Sequence, residues 1–177
     1  MTIVITLPTF FEGEAERIVQ LFLRGDVDLI HLRKPTASYE ELEALILQIP
    51  ANLRNRLVLH DHHTLALKYH LYGIHLNSRN PTPPVEWHGS ISRSCHSFQE
   101  VIEWKPKCNY VSLSPIFDSI SKQGYHAAFS HEELVHAKET GIIDSKVLAL
   151  GGVTFDKLQE IKDLHFGGAM ILGDAWK

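Results

Sequence analysis

The chain has 177 residues, 44% of them hydrophobic and 21% charged, which suits one globular domain (residues 1–177) with a sizeable core. A formal net charge of −4 removes any electrostatic case for nucleic acid, and no apolar run approaches the ~20 residues that span a bilayer. MTIVITLPTF lacks the basic start and cleavage site of a signal peptide, so a cytoplasmic protein with Cys95 and Cys108 as reduced thiols is expected.

From the N-terminus, apolar or β-branched runs recur at 3–6 (IVIT), 28–32 (DLIHL), 57–60 (LVLH), 73–76 (GIHL), 90–94 (SISRS), 110–113 (YVSL), 146–150 (KVLAL) and 168–172 (GAMIL). Helical patterns lie between most of them. Ala15, Ile18, Val19, Phe22 and Leu23 form one apolar face, Leu42, Leu45, Ile46 and Ile49 a second, and Leu158, Ile161 and Leu164 a third. Ser38-x-x-Glu41, Ser97-x-x-Glu100 and Ser130-x-x-Glu133 each read as a capping box, in which the serine accepts from an early backbone N–H and the glutamate reaches back. Thr154 offers the first half of the same motif after GGV. Three boxes, each downstream of a strand run, predict repeated β-then-α units. Those imply a parallel sheet with right-handed crossovers. About eight strands fit a closed (β/α)₈ barrel, with a doubly wound open sheet as the alternative. The chain stops at Lys177, just after the eighth strand, so the barrel is expected to lack its final helix. An exposed apolar strip would follow, and a homodimer partner is one way to cover it.

In parallel α/β folds, ligands sit at the carboxyl ends of the strands. Those ends carry His31 and Arg33, His60 and Asp61, His75 and Asn77, Ser92 and Ser94, Ser112 and Ser114, Gly151 and Gly152, and Gly173. Arg33 is a planar cation suited to phosphate or diphosphate, or else a solvated arginine near the helix that starts at Ser38. Asp61 either caps the short helix of HHTLALKYH or offers a hard oxygen to Mg²⁺. His60-x-His62 invites a zinc reading, but successive strand residues face opposite ways. The glycines at 151, 152 and 173 suit a phosphate site built from backbone N–H groups. The stretch SPIFDSISKQGY (114–125) is longer than an ordinary loop, and its Ser119, Ser121 and Lys122 suit a lid over phosphate groups.

Taken in order, LIHLRK, LVLHD with GIHL after it, ISRSCHS, NYVSLSPIFDSISKQG, VLALGGV and FGGAMILGDAW resemble the thiamine phosphate synthase/TenI family along nearly the whole chain. The resemblance implies a (β/α)₈ barrel. It also implies an enzyme of thiamine biosynthesis that joins hydroxymethylpyrimidine diphosphate to thiazole phosphate, with Mg²⁺. Position by position, it implies that Arg33 binds the diphosphate, Asp61 is the first Mg²⁺ ligand, and Ser94 is the serine ending the fifth strand. Ser119 and Ser121 stand for two lid threonines, Lys122 for the lid lysine, and Gly152 for the glycine that meets the thiazole phosphate. Gly173 stands where a serine is common, leaving only its backbone N–H. The sequence departs from the pattern in three places. Lys34 comes one position early, with Pro35 at the expected lysine site; His60 replaces an asparagine; and the second Mg²⁺ aspartate falls at Asn80. TenI members tautomerise a thiazole carboxylate phosphate, and HLRKPTAS and SRSCHSFQE look closer to them. Pro115, however, stands where TenI has its histidine base. On the tautomerase alternative His60, His75 or His96 must serve instead; a third alternative is a non-catalytic protein that binds thiazole or thiamine phosphate.

Overall fold

Eight strands are hydrogen-bonded in sequence order as a closed barrel: β1 (Thr2–Ile5), β2 (Leu29–Leu32), β3 (Leu57–Leu59), β4 (Gly73–Leu76), β5 (Ser90–Cys95), β6 (Tyr110–Leu113), β7 (Val147–Leu150) and β8 (Gly168–Ile171). The computed structural model describes residues 1–118 and 127–177. Each strand lies within two residues of the run that predicts it. The doubly wound alternative is excluded by the closed order. Backbone proximity divides the chain into two units, Ile3–Ile91 and Ser92–Lys177 with Met1–Thr2.

In the first unit, α1 (Glu14–Leu23), α2 (Tyr39–Gln48), α3 (Ala51–Arg54) and α4 (Thr64–Lys68) alternate with β1 to β4. Parallel pairing sets Ile5 beside His31, His31 beside Val58, and Leu59 beside Ile74. Strand residues such as Ile3, Val4, Ile30, Leu32 and Val58 are fully buried, as expected when both faces of a parallel sheet are covered. On α1 the buried stripe runs through Glu14, Ala15, Ile18, Leu21 and Phe22. The expected Leu23 is instead 76% exposed. The stripe is turned because Glu14 goes inside to meet Lys34. The Ser38 box forms in full: Glu41 N donates to Ser38 Oγ at 3.1 Å, and Ser38 N donates to Glu41 Oε2 at 2.8 Å.

In the second unit, α5 (Phe98–Trp104) leads into a 3₁₀ turn (Lys105–Lys107), and α6 (His131–Glu139) precedes β7. A 3₁₀ turn (Phe155–Lys157) runs into α7 (Leu158–Asp163). Ser130 and Glu133 form the second full box. The third is shifted: Ser97 Oγ accepts from Glu100 N, but Glu100 Oε2 accepts from His96 N at 2.6 Å, one residue further back. Thr154 caps nothing. Phe155 N donates to Asp174 Oδ2 at 3.1 Å, and the Thr154 hydroxyl is buried with no partner among the described residues.

Gly168 makes the start of β8 possible. A Cβ there would lie 1.8 Å from the Met1 carbonyl oxygen, which accepts from Ala169 N at 2.9 Å. Beyond β8 the chain makes a 3₁₀ turn, Gly173–Trp176, with Ala175 buried. The apolar strip expected on the last strand is absent: Ala169, Met170 and Ile171 are all buried. Cys95 and Cys108 are free and buried, and burial pushes the Cys95 thiol up to about 12. Among the described residues no helix is long and apolar enough to cross a membrane.

Candidate active site

The strand period of two separates two neighbouring cations at the end of β2. Arg33 N donates to Thr6 Oγ1 at 2.9 Å, while its half-buried guanidinium has no hydrogen-bond partner among the described residues. Lys34 faces the other way and is 1% exposed. Its ammonium donates to Leu7 O, Thr9 O and Glu14 Oε1 at 2.9, 2.7 and 2.6 Å. Burial outweighs pairing for both ions, raising the Glu14 carboxyl and lowering the Lys34 amine. Lys34 is therefore a strut for the loop after β1, and it does not make good the lysine that Pro35 displaces.

His31, His60 and His75 come together with their ring nitrogens within 4.8 Å of one another, all buried. His31 Nδ1 and His60 Nε2 share a hydrogen bond of 2.9 Å. His60 and His75 lie one step beyond the Leu59–Ile74 pair, and their rings stack at 4.1 Å and 21°. Stacked rings place their in-plane lone pairs in nearly parallel planes, so they do not converge as a tetrahedral zinc site requires. The His60-x-His62 pairing, already disfavoured by the strand alternation, is not formed, because the His62 ring is bonded to Ala37 O at 2.8 Å. Desolvation first, and the neighbouring imidazoles second, hold His31 and His60 well below the usual imidazole range.

Asp61 does not cap α4, which starts at Thr64 without a side-chain cap. Its carboxylate is gripped side-on by Arg79, from Nε at 2.9 Å and Nη2 at 3.0 Å. Asn80 Nδ2 donates to the same Oδ1 at 2.9 Å. The loop after β4 is shaped for this by Asn77, whose Oδ1 accepts from both Arg79 N (2.9 Å) and Asn80 N (3.0 Å). Asn77 Nδ2 also donates to His60 O at 2.6 Å. Mg²⁺ favours several oxygen ligands, usually including carboxylate, in octahedral array. Here the pair Asp61 and Asn80 provides one carboxylate, with both oxygens already bonded to cation and amide. This donor set does not fit the ion that the resemblance implies.

In the second unit Ser94 and Ser112 are register partners, and Ser112 Oγ donates to Ser94 Oγ at 3.2 Å. Ser114 Oγ lies 3.1 Å from His96 Nδ1. Gly151 and Gly152 have φ of 92° and 64°, the left-handed region. A Cβ on Gly152 would lie 2.3 Å from Asp118 O, and one on Gly151 2.7 Å from Pro115 Cα. The glycines thus let the turn after β7 press against the loop after β6. No described residue accepts from the Gly152 N–H, and Lys157 Nζ holds its carbonyl at 3.4 Å. Gly173 opens the 3₁₀ turn after β8. Ser119, Ser121 and Lys122 lie outside the described residues.

Sequence reading missed Arg79 and Asp174, and it placed Asn77 at a strand end without its hydrogen-bonding role. Asn77-x-Arg79-Asn80 carries a usable signal, since asparagine at a strand end commonly hydrogen-bonds the backbone two residues on. Asp174 carries none, because its partner Phe155 is remote in sequence.

A family model described as thiamine monophosphate synthase matches residues 2–172. A thiamine-phosphate synthase of Bacteroides thetaiotaomicron is 25% identical over 180 residues, covering 93% of this chain and 82% of that protein. One from Latilactobacillus sakei is 28% identical over 122 residues, covering 65% of this chain and 54% of that protein. A crystal structure of thiamine phosphate pyrophosphorylase from Bacteroides thetaiotaomicron superposes with a TM-score of 0.87 at 44% identity, covering 99% of this chain and 84% of that one. A thiamine phosphate pyrophosphorylase from Pyrococcus furiosus shares the fold, with a TM-score of 0.74 at 20% identity, covering 98% of this chain and 89% of that one.

Proposed function

The chain belongs to the thiamine monophosphate synthase family, and from that premise we propose that it is a thiamine phosphate synthase of thiamine biosynthesis. It is a transferase that condenses hydroxymethylpyrimidine diphosphate with thiazole phosphate to give thiamine phosphate and diphosphate. The observation that carries this reading is Arg33, a guanidinium at a strand end with no hydrogen-bond partner among the described residues. The bond between the pyrimidine methylene and the diphosphate oxygen breaks, and its electron pair leaves with the diphosphate. The thiazole ring nitrogen then gives its lone pair to the methylene carbon.

The protein's work is to position the partners and to stabilise the leaving charge. Arg33, with Lys122 from the lid, meets the departing diphosphate. The Gly151–Gly152 turn, with the Gly173 N–H, offers backbone donors to the thiazole phosphate, with Ser119 and Ser121 as lid hydroxyls. Ser94, at the end of β5, is the serine proposed to face the reacting centre, and His60 backs the substrate site from its buried place beside His31 and His75. The tautomerase alternative needs an accessible base. His60 and His75 are buried against each other, which counts against both and leaves exposed His96, bonded to Ser114 through Nδ1, as the one candidate base of the three.

The test is to mix the protein with hydroxymethylpyrimidine diphosphate and thiazole phosphate and assay thiamine phosphate by oxidation to a fluorescent thiochrome. Product supports the synthase; none from folded protein, with or without Mg²⁺, overturns it.

A further inference from the structure

The geometry points to Arg79 as the resident cation of the diphosphate site, doing with a guanidinium held on Asp61 what a divalent metal would otherwise do there. The inference rests on the synthase reading, and it starts from the misfit between the Asp61–Asn80 pair and Mg²⁺.

Charge makes the first argument. Two carboxylates and a divalent ion sum to zero. Asp61, Arg79 and the neutral Asn80 also sum to zero. An aspartate-to-asparagine change that only destroyed a metal site would leave Asp61 as an uncompensated, nearly buried anion. Instead Arg79 is delivered to it by the same loop that carries Asn80.

Geometry makes the second. The grip is bidentate, at 2.9 and 3.0 Å, the fork-on-carboxylate arrangement that fixes a guanidinium plane as well as its position. Asn80 Nδ2 then occupies a further lone pair of Oδ1. Three of the carboxylate's roughly four acceptor sites are then taken, which leaves a metal ion a single oxygen position here. The loop is not a casual one: Asn77 Oδ1 holds the backbone N–H of both Arg79 and Asn80.

Reach makes the third. The Asp61 side chain is 10% exposed and that of Arg79 48%. Of the guanidinium nitrogens, Nη1 has no partner among the described residues, which leaves it for phosphoryl oxygens. Arginine suits that task, being permanently charged and less strongly hydrated than an ammonium. Arg79 gives up no proton in the reaction; it balances the charge of the diphosphate as that group leaves with the carbon–oxygen bonding pair.

The test is calorimetric titration of the full chain with inorganic diphosphate, in EDTA and in millimolar Mg²⁺. Binding in EDTA as tight as, or tighter than, binding in Mg²⁺ is the expected result, since Mg²⁺ also sequesters free diphosphate. Arg79→Met should weaken binding in EDTA by about tenfold or more, the loss of a charge-assisted contact. The double change Arg79→Leu with Asn80→Asp should restore a need for Mg²⁺, and circular dichroism checks that each variant folds. Diphosphate binding that requires Mg²⁺ in the parent protein, an R79M variant that binds as the parent does, or no binding in either medium would overturn the inference. Turnover is read separately. Binding in EDTA without thiamine phosphate formation sinks the synthase and leaves Arg79 standing. Turnover abolished by EDTA keeps the synthase and sinks Arg79.

Discussion

Lys34 Nζ lies 2.6 Å from Glu14 Oε1, with the two side chains only 0% and 2% exposed. Such a pair costs desolvation on both sides and is expensive to break from one side only. Glu14 Oε2 is buried with no partner among the described residues, so the pair has little slack. Lys34→Met is expected to cost about 3–5 kcal/mol in urea unfolding. Adding Glu14→Leu should recover most of that, though not all, since the Leu7 and Thr9 carbonyls also lose their donor. Recovery of none of the loss by the double variant would argue against the pair as its cause.

Arg33 should show the opposite profile. Its backbone N–H, not its side chain, is bonded to Thr6. Arg33→Ala is expected to shift stability by no more than about 0.5 kcal/mol. It should lower kcat/KM for the pyrimidine diphosphate by about 100-fold or more, as loss of a group that stabilises leaving charge does. A large loss of stability with intact turnover would place this arginine in the framework.

The buried imidazoles set the acid limit. His31 and His60 are held well below the usual range by burial, with His75 adding to both and Arg33 and His63 adding to His60. The folded state keeps them neutral while the unfolded chain takes up protons below about pH 6.5. Their contribution to stability is therefore whole above that pH and lost as pH falls, by about 1.4 kcal/mol per unit for each histidine, until the folded groups titrate. Denaturant midpoints from pH 8 to pH 5 would show the slope, and the pair His31→Gln with His60→Asn should flatten it. An unchanged slope in that variant would assign the acid sensitivity elsewhere.

Thr154 invites a stabilising change. Its hydroxyl is buried without a partner among the described residues, and Asp174 instead takes the first N–H of the helix start, that of Phe155. Thr154→Val keeps the shape and removes the unpaired oxygen, so stability should rise by about 1 kcal/mol. Asp174→Ala should instead cost about 1 kcal/mol, the value of a cap. Differential scanning calorimetry on both reads the two signs directly.

Most of the framework was legible in the sequence because its causes are local. Strand runs, the Ser38 and Ser130 boxes and the glycines of the β7 turn each depend on residues a few positions apart. What escaped depends on partners far along the chain. Whether Asp61 caps a helix or grips an arginine is decided by Arg79, 18 residues later in a different loop. Leu23 looked like part of a symmetrical apolar face until Glu14 turned that face to reach Lys34. Thr154 was the right residue type at the right place, but a carboxylate from beyond β8 reached the helix start first. The strand ends were thus legible in their order, and the partners that meet at them were not.

The turn from Asn77 to Asn80 closes on itself: Asn77 N donates to Asn80 O, and Asn80 N to Asn77 O, each at 3.2 Å. This ring of bonds is complete before the proline-rich stretch 81–84 begins, and Val85, just beyond, is 99% exposed. The stretch is therefore mechanically uncoupled from the guanidinium it follows. It is the natural insertion point for an epitope, a reporter or a tether to a solid support, because added length there grows outward from a knot already tied.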